Sequence, residues 1–486
     1  MASSLKIEGL ERALLILGSL LFTVLCGVAI TLDNYTLCFL PILVFGGYLL
    51  LYHTQQLLLF IALATPLSFN FENLGAFGGI GFYFPTEPLL FGLMFLYILK
   101  VLSGYRERKE LMRHPLTVAI VFNLIWITVA VFNSVDVVVS VKFLISRLWF
   151  VLVMYFMFNS YFENRYLIKQ FFVTLIFSMA VTILYTMMMH ASHGFSEESG
   201  HWVMWPFFKD HTSYGAIIAL LFPMVVFHFR RAKKLSIEQF LWTIALSIFS
   251  AGLFLSYTRA AWLSLVGAVG VYFLIKLRID YKLVVFTIFL LISGFFAFQD
   301  QIIHELERNQ QDSSDSFAEH VQSITNISSD ASNLERLNRW NSAWKMFLEK
   351  PILGHGPGTY MFEYARYQKS SDKTIISTNQ GDGGNAHSEY LGPLSESGIF
   401  GMLTILIVFI ASLNTGIRLY YQLDHDIYLK GVVMCIVLGL VTYYLHGILN
   451  NFLDTDKASV PIWGSMSVLV AISIYHRKKS LKSAAE

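Results

Sequence analysis

The chain has 486 residues, 55% of them hydrophobic and 15% aromatic, and a mean hydropathy of +0.56. Charged residues make up 14%, against about a quarter in an ordinary soluble domain, which excludes a soluble globular protein. A net charge of +2 gives no basic field for nucleic acid, and apolar blocks that run continuously rather than alternate exclude a β-barrel.

The apolar blocks are about 18–22 residues long, enough to cross roughly 30 Å of hydrocarbon as helices. They predict an all-α polytopic membrane protein with about 12–14 transmembrane helices and one large, partly helical loop. In chain order the predicted spans are 12–32, 36–53, 55–70, 86–103, 115–133, 141–158, 168–189, 212–229, 238–257, 260–277, 282–298, 398–420, 430–449 and 458–476. The first is too long for a signal-peptide core and lacks a small-residue cleavage site, so it reads as a retained span. Cys26, Cys38 and Cys435 fall within apolar blocks and read as small core residues, not as a disulfide framework or a metal site. The chain then divides into N-terminal helices (1–209), helices bearing Arg259 (210–298), a large polar loop (299–390) and C-terminal helices with a basic tail (391–486).

Basic residues set the orientation. Arg106, Arg108, Lys109 and Arg113 lie between two spans, and Arg230, Arg231, Lys233 and Lys234 follow another. Lys276, Arg278 and Lys282, and then Arg477, Lys478 and Lys479, complete the set. With both termini cytoplasmic, all of these clusters fall inside, as the positive-inside rule requires. Segments 190–211, 256–259, 299–390 and 450–457 then face outward, away from ATP and nucleotide sugars. Within the loop, residues 333–349 carry Leu337, Trp340, Trp344, Phe347 and Leu348 at helical spacing, ended by Pro351, which predicts a helix.

Several outward residues suit anion binding or proton transfer. Arg259 reads either as an interfacial arginine reaching headgroups or as an anion site, since its guanidinium fork matches phosphate oxygens. Arg336 and Arg339 share a helix face, which is either solvated or a second anion contact. His387 follows a glycine-rich approach (Gly381, Gly383, Gly384), and a neutral imidazole there can take a proton from a hydroxyl. Glu389 and Glu396 are candidates to orient it. Asp210, before His211, suits a helix cap. His446, with Asn450 and Asn451, lies at the outer end of a span, where polar groups are costly unless paired or lining a cavity. No metal-ligand spacing, Walker loop, dinucleotide fingerprint or nucleophile elbow is present.

In order, these motifs resemble the O-antigen ligase and O-antigen polymerase superfamily. The resemblance rests on Tyr257-Thr258-Arg259-Ala260-Ala261-Trp262-Leu263, on Arg336-Leu337-x-x-Trp340 with Pro351-x-Leu353-Gly354-x-Gly356-x-Gly358, and on His387-x-x-Tyr390-Leu391 with Glu396-x-Gly398-x-x-Gly401. His446-Gly447 extends it, so that it covers 210–463. Where the family commonly has asparagine after the histidine, this chain has Ser388.

The resemblance implies a bacterial inner-membrane glycosyltransferase working at the periplasmic face without a metal or other cofactor. Its donor would be an undecaprenyl-diphosphate-linked glycan, and its acceptor a lipid A core, a growing polysaccharide or a protein hydroxyl. His387 would be the general base in an inverting displacement. Arg259 and Arg336, with Arg339, would hold the diphosphate, while Asp210, His211, Ser388, Glu389, Glu396 and His446 support them. The alternative within the same chemistry is a polymerase joining repeat units. A lipid-linked glycan flippase would call for an internal repeat and broken spans in corresponding positions, and the sequence shows neither.

Overall fold

A computed structural model describes residues 53–70, 82–280, 331–368 and 384–483, with a few isolated helical positions elsewhere. The predicted spans 12–32, 36–53 and 282–298, loop segments 299–330 and 369–383 with Gly381 and Gly383, and Cys26 and Cys38 lie outside the continuously described residues.

The described chain is almost wholly helical. Its principal helices are α1 (Thr54–Leu67), α2 (Thr86–Leu102), α3 (Pro115–Val131), α4 (Val137–Phe150), α5 (Arg165–Ser192) and α6 (His211–Arg231). Then follow α7 (Ile237–Leu255), α8 (Arg259–Lys276), α9 (Ala331–Glu349), α10 (Leu391–Gln422), α11 (Ile427–His446) and α12 (Asp456–Ser483). Among the described residues, eight helices, α4 counted with the turn that continues it to Met157, are long and apolar enough to cross a membrane, and α1 and α3 are shorter apolar helices. The protein is therefore a multi-pass membrane protein of the all-α class, and each of these helices coincides with a predicted span to within a few residues.

Local sequence explains where the helices start. Asp136, Asn164, Asp210, Ser236 and Asp426 precede α4, α5, α6, α7 and α11, and each accepts a hydrogen bond from a first-turn N–H. These are the residue types that cap helices best. Between α1 and α2, Phe69–Asn70 and Tyr83–Phe84 form a short antiparallel pair, with Phe69 opposite Phe84. After α4 the chain continues as a wider π turn, Val151–Met157. The Ser467 hydroxyl of α12 donates to the Tyr155 carbonyl there, at 2.8 Å.

Burial orders the bundle. The apolar window of α12 is 89% buried and that of α11 78%, whereas α7 and α8 reach only 17% and 22%. So α11 and α12 are central, and α7 and α8 present their apolar faces outward. α6 and α8 both pack on α11, α3 packs on α10, and α1 on α5. Cys435 is buried in α11, where its thiol donates to the Pro223 carbonyl at 3.3 Å.

One break in this pattern shapes the site. At Gly398, inside α10, φ is 70° and ψ −169°, a backbone state that an L side chain adopts only under strain. A Cβ there would also lie 2.0 Å from the Ile352 carbonyl oxygen. The break lets the loop after α9 come close: Ile399 N–H donates to Pro351 O at 2.9 Å, and Gly356 N–H to Glu396 O at 2.8 Å. The loop helix α9 is thereby seated on the start of α10.

Candidate functional site

The site lies at one end of the bundle, where α6 and α8 begin, α11 ends, and α9 and the 384–390 segment cover them. Asp210 caps α6, its Oδ1 accepting from Ser213 N–H at 2.8 Å and from the Thr212 hydroxyl at 2.6 Å. The carbonyl of His211 accepts the Thr258 hydroxyl at 2.8 Å. That bond brings the first residue of α8, Arg259, beside the start of α6. The His211 ring meets the His201 ring edge-on, with centroids 4.2 Å apart.

Arg336 and Arg339 stand on α9 but do different things. Arg339 is buried; its Nε donates to Glu335 at 2.7 Å, its Nη1 to the Asn385 carbonyl at 3.0 Å, and its guanidinium lies over the Tyr364 ring. At Gly384 a Cβ would sit 2.2 Å from Arg339 Nη1, so any larger residue there would displace the guanidinium. Arg339 is thus a strut under the approach to His387. The charge of Arg336 reaches the rings of His211, His387 and His446, and that of Arg339 reaches His387 as well.

His387 sits in a left-handed turn with φ 47°, uncommon for a residue with a Cβ and costing about 1–3 kcal/mol. Three contacts hold it. Its N–H donates to Asn385 Oδ1 at 3.1 Å, its carbonyl accepts Trp340 Nε1 at 3.4 Å, and the Asn450 side chain lies against its ring. Burial first, then the guanidinium groups of Arg339 and Arg336, press its imidazole down to about 4, while Asn450 and Asp210 act the other way. The ring is therefore neutral at pH 7.

The two glutamates lie apart from the His387 ring. Glu389 Oε1 accepts from the N–H groups of Phe452 and Leu453 at 2.7 and 2.9 Å, and from the Tyr443 hydroxyl. Its own N–H donates to Gly447 O at 2.8 Å. Burial pushes its carboxyl up, and the bond from Tyr443 counters this. Glu389 therefore fastens the 447–453 segment beneath His387. Glu396 Oε1 accepts from Tyr360 N–H at 3.1 Å and so fixes the turn after α9. The Ser388 hydroxyl accepts from the N–H groups of Tyr390 and Leu391, each at 3.3 Å. This capping of the approach to α10 is a task at which serine and asparagine are nearly equal. His446 is 1% exposed.

One contributor, Arg147, went unnoticed in the sequence. Arg147, buried within α4, donates to Leu453 O at 3.1 Å and lies near the buried carboxyl of Asp454. Asn450 abuts His387. A lone arginine inside an apolar block was the available signal for Arg147; Asn450 belongs to the polar span end, with His446, that the sequence marks. Among the described residues, no group of three His, Cys, Asp or Glu side chains is arranged to hold a metal ion.

Fold and site together define a multi-pass α-helical membrane protein with arginines and histidines gathered at one end of its bundle. Residues 244–406 match the family model described as O-antigen ligase, so this part of the chain is similar to that family. The matched stretch holds Arg259, Arg336, Arg339, His387, Ser388, Glu389 and Glu396; Asp210 and His211 precede it and His446 follows. No curated protein matches the chain. The match supports activity of the O-antigen ligase or polymerase type, with lipid-linked glycan and polysaccharide or lipid acceptors as the general substrate classes.

Proposed function

We propose that this protein transfers a glycan from undecaprenyl diphosphate to an acceptor hydroxyl, in the manner of an O-antigen ligase whose acceptor is the lipid A core. The reaction takes place at the periplasmic face of a bacterial inner membrane, with both termini in the cytoplasm. The observation that carries this reading is that the charge of Arg336 reaches both His387, neutral and held in a left-handed turn, and His211, whose carbonyl is tied to Thr258 beside Arg259.

The chemistry follows from those parts. His387 accepts the proton of the acceptor hydroxyl as its oxygen bonds to the anomeric carbon. The bond from that carbon to the phosphate oxygen breaks, its electron pair leaves with the lipid diphosphate, and the configuration inverts. Arg259 and Arg336 offset the charge that develops on the leaving group, the role of a preorganised electrostatic site. Arg339 acts mainly by fixing the backbone ahead of His387. A diphosphate resting on Arg336 cancels part of the field that depresses His387, so binding of the donor makes the base stronger. The apolar flanks of α7 and α8 suit the polyprenyl chain.

The test is complementation of a deletion strain. The deletion should leave long glycan chains on the lipid carrier, and His387→Ala, expressed at wild-type level, should fail to restore attachment. Loss of one general base costs about 10²–10⁴-fold in rate. Normal surface glycan with His387→Ala would overturn the catalytic assignment. Accumulation of single repeat units in the deletion strain would replace ligation with polymerisation.

A further inference from the structure

Behind His387 is a pair of side chains that the reaction above does not use. His446, the last residue of α11, is 1% exposed, and neither ring nitrogen meets a hydrogen-bonding partner among the described residues. Asn450, 2% exposed, is in the same position at Nδ2. A buried polar atom without a partner costs about 1–3 kcal/mol. Such groups persist where something outside the chain completes them.

Their place narrows what that is. The charges of Asp210 and Arg336 both reach the His446 ring, and Phe452 flanks it with ring centroids 5.7 Å apart. Asn450 touches the ring of His387. The pair thus lies beside the proposed base, with His446 in the field of Arg336, the proposed diphosphate ground. Its chemistry differs from both. A phosphate oxygen only accepts hydrogen bonds and prefers guanidinium N–H. A neutral imidazole and a carboxamide each donate and accept without charge, which matches sugar hydroxyl and acetamido groups.

We propose that His446 and Asn450 form a neutral subsite for the first sugar of the lipid-linked donor, next to the arginines that take its diphosphate. The inference rests on the glycosyl-transfer reading. In it, both residues orient the anomeric carbon between the acceptor oxygen and the leaving phosphate, and both are specificity-determining.

The test compares two lipids on the full-length protein in detergent: sugar-free undecaprenyl diphosphate and the glycan-bearing lipid extracted from the deletion strain. His446→Leu and Asn450→Leu should weaken the glycan-bearing lipid about 10-fold or more, the usual scale for a lost buried hydrogen bond, and leave the sugar-free lipid unchanged. His446→Gln, which keeps a donor and an acceptor, should recover part of the loss. Arg336→Ala should weaken both lipids. Equal weakening of both lipids by His446→Leu would make His446 part of the diphosphate site and overturn the subsite; so would no weakening of either. If the wild-type protein binds neither lipid, the transferase reading itself fails, and the subsite with it.

Discussion

At the start of α12 the buried ammonium group of Lys457 donates to the carbonyls of Thr65 and Ser68, each at 2.6 Å, and to the Ser68 hydroxyl. Ser68 also donates to Asp456 Oδ2 at 2.5 Å, and Glu87 Oε2 accepts from Tyr83 N–H at 2.9 Å. Across the 447–455 connection, His446 leaves both ring nitrogens and Asn450 its Nδ2 without partners among the described residues. Both clusters are buried, polar and rich in titratable groups, so burial and charge alone do not tell them apart. The hydrogen bonding of their basic groups does, although Asp456 Oδ1 also has no partner among the described residues. All three donors of Lys457 are used to tie α12 to the end of α1, which makes it a structural tie. The His446 side is left incomplete, as a ligand-binding floor would be.

The widest separation between the two should come from stability. Lys457→Met removes the cation from beside Asp456 and Glu87 and should cost about 3–5 kcal/mol, the usual result of breaking a buried charged arrangement. His446→Leu removes only unpartnered atoms and should hold the melting temperature or raise it. Thermal unfolding of the purified protein reads both. Similar losses in the two variants would erase the distinction.

Glu389 tests whether the wall of the site is built from struts. Glu389→Ala orphans the N–H groups of Phe452 and Leu453, at about 1–3 kcal/mol each, and releases the 450–453 segment. Transfer should fall by roughly the factor that this loss of order implies. Glu389→Gln keeps the accepting oxygen and should stay close to wild type. If glutamine is as damaging as alanine, the charge matters and the strut account is wrong.

The spans were legible because each is a long apolar block, which needs no knowledge of partners. Residues 333–349 were legible for a similar reason: their apolar residues return at helical spacing, and Pro351 stops them. The site was legible only as residue types in order. Glu389 and Glu396 read as partners of His387 because they are close to it along the chain. Their side chains instead serve backbone N–H groups of the 452–453 segment and of Tyr360. Which way a side chain points is set by packing between segments far apart in sequence, and no periodicity records it. Arg339 and Arg336 differ for the same reason: Glu335 and Asn385 engage one of them.

The charges of both arginines have a pH signature at His387. Burial first, then Arg339 and Arg336, hold its imidazole below the ordinary value of 6.5, at about 4. A base must be unprotonated to act, so kcat/KM, which reports the free protein, should fall only as pH drops toward that lower value. Removing a neighbouring cation raises the pKa, so Arg336→Ala should move the acid limb upward, toward the ordinary value. Bound diphosphate opposes the same field, so in the wild type the acid limb of kcat should lie above that of kcat/KM. Coincident limbs would mean that donor charge does not reach His387.

Ser388 gives the smallest effect and isolates the cap from the chemistry. Its hydroxyl serves the N–H groups of Tyr390 and Leu391, both at 3.3 Å, and the next residue toward the N-terminus is His387 itself. Loss of such a cap costs about 1 kcal/mol, so Ser388→Ala should lower stability by that much and loosen the left-handed turn, reducing kcat a few-fold with little change in KM. Ser388→Asn supplies a carboxamide oxygen to the same N–H groups, so both stability and kcat should remain near wild type. If asparagine restores stability without restoring kcat, the serine hydroxyl takes part in the reaction beyond holding the turn.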